Sequence, residues 1–96
     1  MASLDGVWRV RRTGGLLPPL LGMQKRIDGM RGETVLGPVR MSFDVRGDEL
    51  HYRAPFTGFV DVLEPTSDAS VFRGRALLRG REFGRFELRR IARDAS

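Results

Sequence analysis

The chain of 96 residues has no cysteine, so neither a disulfide framework nor a thiolate site can be drawn from it. With His51 as its one histidine, no Ser-His-Asp, Cys-His or metal-ligand set can be assembled; only carboxylate pairs remain as acid–base machinery. No metal site and no catalytic residue is therefore assigned. There is no run of about 18 apolar residues to cross a membrane as a helix. No stretch of a dozen residues keeps the i, i+3, i+4 apolar spacing of a long helix either. Met1–Asp5 carries no basic n-region and no apolar h-region, so the expectation is a reducing, cytoplasmic setting. Gly22, Gly29, Gly32 and Gly37 fit neither a phosphate loop nor a dinucleotide fingerprint, and no cofactor is expected.

What is present is β-rich and basic. The net charge is +5, carried by sixteen arginines and one lysine, Lys25. Arginine serves phosphate contacts well, so binding of nucleic acid or another polyanion is one reading of this bias. The other is a set of ordinary solvent-facing strand positions. Hydrophobic residues make up 41%, enough for one small domain spanning 1–96, with 1–5 and 92–96 as flexible ends. A chain of this length has a thin core, so pairing with a second copy would help it.

The domain opens on Gly6–Arg12. Trp8 and Val10 alternate with Arg9 and Arg11, and the sole tryptophan is the natural floor of the core. After Thr13-Gly14-Gly15 comes Leu16–Met23, an apolar segment whose double proline excludes a regular strand and suits a loop or the first turn of a short helix. Its four leucines must cap the core, cover a cavity or meet a partner. Gln24–Asp28 and Glu33–Gly37 read as two short strands around an Asp28-Gly29 turn.

The next hairpin is clearer. Val39, Met41, Phe43 and Val45 alternate with polar residues, Gly47-Asp48 is a two-residue turn, and Leu50, Tyr52 and Ala54 alternate on the return. Pairing Arg46 with Glu49 places Val45 by Leu50 and Phe43 by Tyr52, with Asp44 by His51 and Ser42 by Arg53 on the polar face. In that register Arg46-Gly47-Asp48 is a turn rather than an adhesion tripeptide, and His51 is a surface hydrogen-bond partner of Asp44. Phe56–Leu63 starts a further strand, followed by a loop over Glu64–Ser70. In the last hairpin, Val71–Arg79 and Phe83–Ile91, a two-residue Gly80-Arg81 turn would split the apolar residues between faces. A three-residue loop, Gly80–Glu82, gathers Phe72, Gly74, Ala76, Leu78, Gly84, Phe86 and Leu88 on one face, opposite Arg73, Arg75, Arg85, Glu87 and Arg89. The phenylalanines are then core, and none remains among the arginines for base stacking.

These features predict an all-β fold of at least six strands, a small antiparallel barrel or a strongly curled meander. Gly6-x-Trp8 on the first strand, a leucine-rich loop after it and a run of hairpins resemble a reduced calycin, the superfamily of lipocalins and fatty-acid-binding proteins. The resemblance implies that a basic residue from the last strand packs across the tryptophan, and Arg90, by parity on the inward face, matches that role. The chain departs from the family in its shortness and in lacking the Thr-Asp-x-x-x-Tyr motif.

The resemblance implies a non-enzymatic binder of a small apolar ligand. Its cavity would be lined by Trp8, Val10, Met41, Phe43, Tyr52, Phe72, Phe86 and Leu88, with Leu17 and Leu20 in a covering loop and Tyr52 as polar anchor. The same residues equally describe the packed interior usual in small barrels. The alternative is a structural module that forms a homodimer through the 16–23 loop or an edge strand.

Overall fold

Eight strands, each antiparallel to its chain neighbours, form a closed barrel in the computed structural model, which describes residues 4–16 and 22–93. They are β1 (Gly6–Gly15), β2 (Gln24–Asp28), β3 (Arg31–Leu36), β4 (Val39–Arg46), β5 (Glu49–Tyr52), β6 (Phe59–Pro65), β7 (Val71–Leu78) and β8 (Arg81–Ala92). β8 returns to pair with β1, so the sheet has no free edge. The edge-strand route to a homodimer therefore has no edge to use. Among the described residues there is no helix, hence none long and apolar enough to cross a membrane.

Alternation sets the two faces. Trp8 and Val10 are buried while Arg9 and Arg11 are exposed, and Phe86 and Leu88 are buried beside exposed Arg85 and Arg89. The β4–β5 hairpin has the register its sequence dictates: Phe43 faces Tyr52, Asp44 faces His51 and Val45 faces Leu50. The β2–β3 pair turns at Gly29-Met30, with Asp28 opposite Arg31.

Several boundaries differ from the sequence expectation: β3 begins at Arg31 rather than Glu33, β5 ends at Tyr52 short of Ala54, and β8 runs on to Ala92, which pairs with Val7. β6 begins at Phe59, because residues 53–58 form the turn that leads into it. Ahead of β1, Trp8 Nε1 donates to the Leu4 carbonyl at 2.8 Å, and the Gly29 amide donates to Asp5 Oδ1 at 2.8 Å.

The last hairpin differs as well. The turn is Arg79-Gly80, both residues with positive φ (51° and 84°), which is the twist that a two-residue hairpin favours. Leu78 pairs with Arg81 and Leu77 with Glu82; the pairing then shifts, so that Ala76 faces Gly84 and Gly74 faces Phe86. Phe83 is the extra residue of a β-bulge. A short turn plus a bulge gives the same facing as the three-residue loop, so the core face is right although the pairing lies two residues away. Leu78, at the rim of that face, is 39% exposed.

Two aromatic–glycine pairs let large rings lie flat inside so narrow a barrel. Gly74 faces Phe86 and Gly32 faces Phe43. A Cβ on Gly74 would stand 2.2 Å from the Phe86 ring, and one on Gly32 would stand 2.6 Å from the Phe43 ring. Each ring occupies the volume its partner's side chain would take.

Candidate functional site

The barrel interior is divided into a packed half and a half that holds a cavity. The packed half is built around Trp8, fully buried, with Ile27, Leu50, Leu63, Phe72 and Leu88. Phe72 meets the indole edge-on at 5.3 Å between centroids, an arrangement that contributes about 0.5–1.5 kcal/mol beyond area burial. The Arg90 guanidinium carbon lies 4.5 Å from the Trp8 ring centroid, a cation–π contact of about 0.5–2 kcal/mol. Gly6, at φ +128°, passes so close to β8 that a Cβ would collide with the Ala92 carbonyl. Gly6, Trp8 and Arg90 thus meet at the seam between β1 and β8.

At mid-barrel the chain's one lysine is buried. Lys25 is 2% exposed and Asp61 6%, and their charged atoms are 2.8 Å apart. Lys25 stands on β2 next to Thr34 of β3, while Asp61 is on β6 beside Tyr52 of β5, so the group bridges the barrel. Nζ donates three hydrogen bonds, to Thr34 Oγ1 at 2.8 Å, Tyr52 Oη at 2.7 Å and Asp61 Oδ2 at 2.8 Å. Tyr52 donates its hydroxyl to Asp61 Oδ2 at 2.8 Å. Thr34 Oγ1 lies 2.6 Å from Tyr52 Oη, and because the tyrosine proton is already directed at Asp61, Thr34 is the donor there. The rings of Phe43, Tyr52 and Phe86 lie 5.3–5.7 Å from the ammonium.

This environment fixes the protonation states. Burial alone would pull the Lys25 ammonium down, but the Asp61 carboxylate, Tyr52 and their hydrogen bonds together hold it above its ordinary value. Burial pushes the Tyr52 hydroxyl up to about 12, with the Asp61 charge adding to the effect against the pull of Lys25. Lys25 is thus an ammonium with no lone pair and Tyr52 a neutral phenol. In these states neither Lys25 nor Tyr52 is a nucleophile, and the cluster's chemistry is to bind and orient a ligand.

Above the cluster lies a cavity of about 240 Å³, partly open at the end of the barrel where the β3–β4, β5–β6 and β7–β8 connections lie. Its floor is Lys25, Thr34, Tyr52 and Asp61; its walls are Val10, Met23, Met41, Phe56, Phe59, Ala76, Phe83 and Phe86. Phe59 and Phe83 meet edge-to-face at 5.8 Å. The bulge in β8 is what brings Phe83 to this wall, since strict alternation would turn it outward.

Of the residues expected to line a cavity, Val10, Met41, Tyr52 and Phe86 do so. Trp8, Phe43, Phe72 and Leu88 do not; they fill the interior as packed core. Leu17 and Leu20 lie outside the described residues, as does most of the 16–23 loop; of its ends, Leu16 is 87% exposed and Met23 lines the cavity. Lys25, Thr34 and Asp61 were not expected at all. Their signal was present in the sequence: one lysine among sixteen arginines, in phase with Ile27, and one carboxylate within Phe59-Val60-Asp61-Val62-Leu63.

The outer face carries the remaining charge. His51 bonds Glu49 through Nε2 at 2.8 Å rather than Asp44, its backbone neighbour, because Arg53 reaches Asp44 first, at 2.6 Å. Arg11, Arg40 and Arg85 pair with Glu87, Glu33 and Glu82. Phe72 and Phe86 are inside the barrel, so neither is available to stack a base among these arginines. Among the described residues no three histidine or carboxylate side chains come together as metal ligands would. No protein-family model, curated protein or solved structure matches the chain.

Proposed function

We propose that this protein is a non-enzymatic binder of a small, largely apolar molecule held in the barrel cavity, as the calycin resemblance implies. The observation that carries the reading is the cavity of about 240 Å³ between aromatic and aliphatic walls, above a polar floor whose groups are mutually bonded. A volume of 150 Å³ accommodates benzene in an apolar protein interior, so this one suits a single ring or short chain rather than a full-length lipid. Burying on the order of 200 Å² of apolar ligand surface contributes about 5 kcal/mol at 25 cal/mol per Å², from which the cost of association is subtracted. The expected affinities are therefore modest, and binding is to be sought up to millimolar ligand.

Ala76 provides the test, because it is buried in the cavity wall opposite Gly84. Ala76→Leu should fill the space and abolish binding of a ring-sized probe such as toluene, with stability unchanged or raised. In a packed core the same change would cost about 1–3 kcal/mol. Calorimetric titration together with urea denaturation reads both quantities. Loss of stability with no binding in either form would refute the reading.

A further inference from the structure

The cavity floor has an unequal supply of hydrogen-bonding groups, and that inequality specifies a ligand. Five donors are present in the cluster: three on Lys25, one on Tyr52 and one on Thr34. All five are spent on neighbours within it. Acceptors are left over. Asp61 accepts both of its bonds on Oδ2, and among the described residues Oδ1 accepts none. Oδ1 is not sealed within the protein, and the open space that Asp61 borders is the cavity. The charges of the floor balance, one ammonium against one carboxylate at 2.8 Å.

We propose that the cavity selects an uncharged ligand with a hydroxyl group on a small apolar body, and that this hydroxyl donates to Oδ1 of Asp61. The inference rests on the binder reading above and adds the head group to it. A hydrocarbon would leave the acceptor unpaired beneath an apolar lid of ligand, which costs the desolvation of a charged oxygen. A carboxylate would bring negative charge against Asp61 and find no donor, since Lys25 has none to spare. An amine could donate, but its cation would sit beside the Lys25 ammonium in a site of low dielectric. A phenol or alcohol supplies the one missing donor without adding charge, and a hydrogen bond to an ionised acceptor is of the stronger kind.

The test compares p-cresol, toluene, p-toluate and benzylamine, ring-sized probes that differ mainly in the head group, by calorimetric titration of the whole chain. p-Cresol should bind about tenfold or more tighter than toluene, with p-toluate and benzylamine weaker than both. Toluene equal to p-cresol, or p-toluate or benzylamine the tighter ligand, would overturn the head-group inference and leave the binder reading standing. No binding by any of the four would overturn both.

Two variants sharpen the result. Asp61→Asn leaves the Lys25 charge without its counter-ion, so p-toluate should now bind at least as well as p-cresol. Because that variant could unfold, the double variant Lys25→Met with Asp61→Leu replaces the pair by apolar side chains, an exchange that is often neutral in stability. In it p-cresol should lose most of its advantage over toluene, keeping only what the neutral hydroxyls of Tyr52 and Thr34 provide. An undiminished preference in the double variant would refute Asp61 as the acceptor.

Discussion

Lysine and arginine are not interchangeable at the centre of this barrel. Lys25 offers three donors on a compact ammonium, and three acceptors surround it; arginine would bring five donors and a planar fork into the same space. Lys25→Met should cost about 3–5 kcal/mol in urea denaturation, because Asp61 remains buried without its partner, and the double variant with Asp61→Leu should cost much less. The same residues govern alkaline stability. Lys25 and Tyr52 both hold their protons more tightly in the folded state than their ordinary values of 10.5 and 10.0. Below those values both states are protonated and the stabilisation is complete. As pH rises above 10 the unfolded chain releases its protons first, and stability falls through the window that ends near 12 for Tyr52. With one tyrosine, one lysine and no cysteine in the chain, no other side chain ordinarily titrates there. Urea midpoints should therefore drop between about pH 9 and about pH 11.5, and less steeply in Tyr52→Phe. Tyr52 was legible in advance as an inward-facing polar residue because it lies on a clear hairpin. Lys25 and Asp61 were not, because each reads singly as a solvent-facing charge and only closure of the barrel brings them together.

Among the elements, legibility depended on whether a strand pair keeps unbroken alternation. The β4–β5 hairpin does, and its Gly47-Asp48 turn joins two alternating faces, so both sides had one consistent register. The β7–β8 hairpin does not. Its bulge at Phe83 leaves no mark in composition, and a three-residue loop has the same effect on facing as a two-residue turn followed by one extra residue. The glycines of these strands are also misread by propensity, which treats them as weak points. Gly74 is where Phe86 lies. Gly74→Ala should cost about 1–3 kcal/mol through displacement of that ring. In a Phe86→Leu background the added methyl should cost less, and a double-mutant cycle by urea denaturation measures the coupling. Additive effects would mean that the ring and the glycine are independent.

At the scale of the molecule, closure follows from β1 and β8, whose lengths of 10 and 12 residues give them the reach to pair after six intervening strands. Sequence patterning implies curled hairpins, and the two strands that raise six to eight are the short β2 and β3, which glycine and charge nearly conceal. Seven of the eight strand contacts join chain neighbours, so most of the sheet can assemble from adjacent hairpins as they form. The bond from Lys25 to Asp61 is different, because it joins residues 36 apart across the diameter. It can close only when both halves of the sheet have already curled towards each other, which places it late in the order of assembly. Lys25→Met should accordingly accelerate unfolding while leaving the refolding rate nearly unchanged, as measured by the two limbs of a urea chevron. A slowed refolding limb would put the buried pair in the nucleus instead. On the late-closing order, the barrel gains its sheet first and its bolt last, and the time the native state survives is set more by that bolt than by any single hairpin.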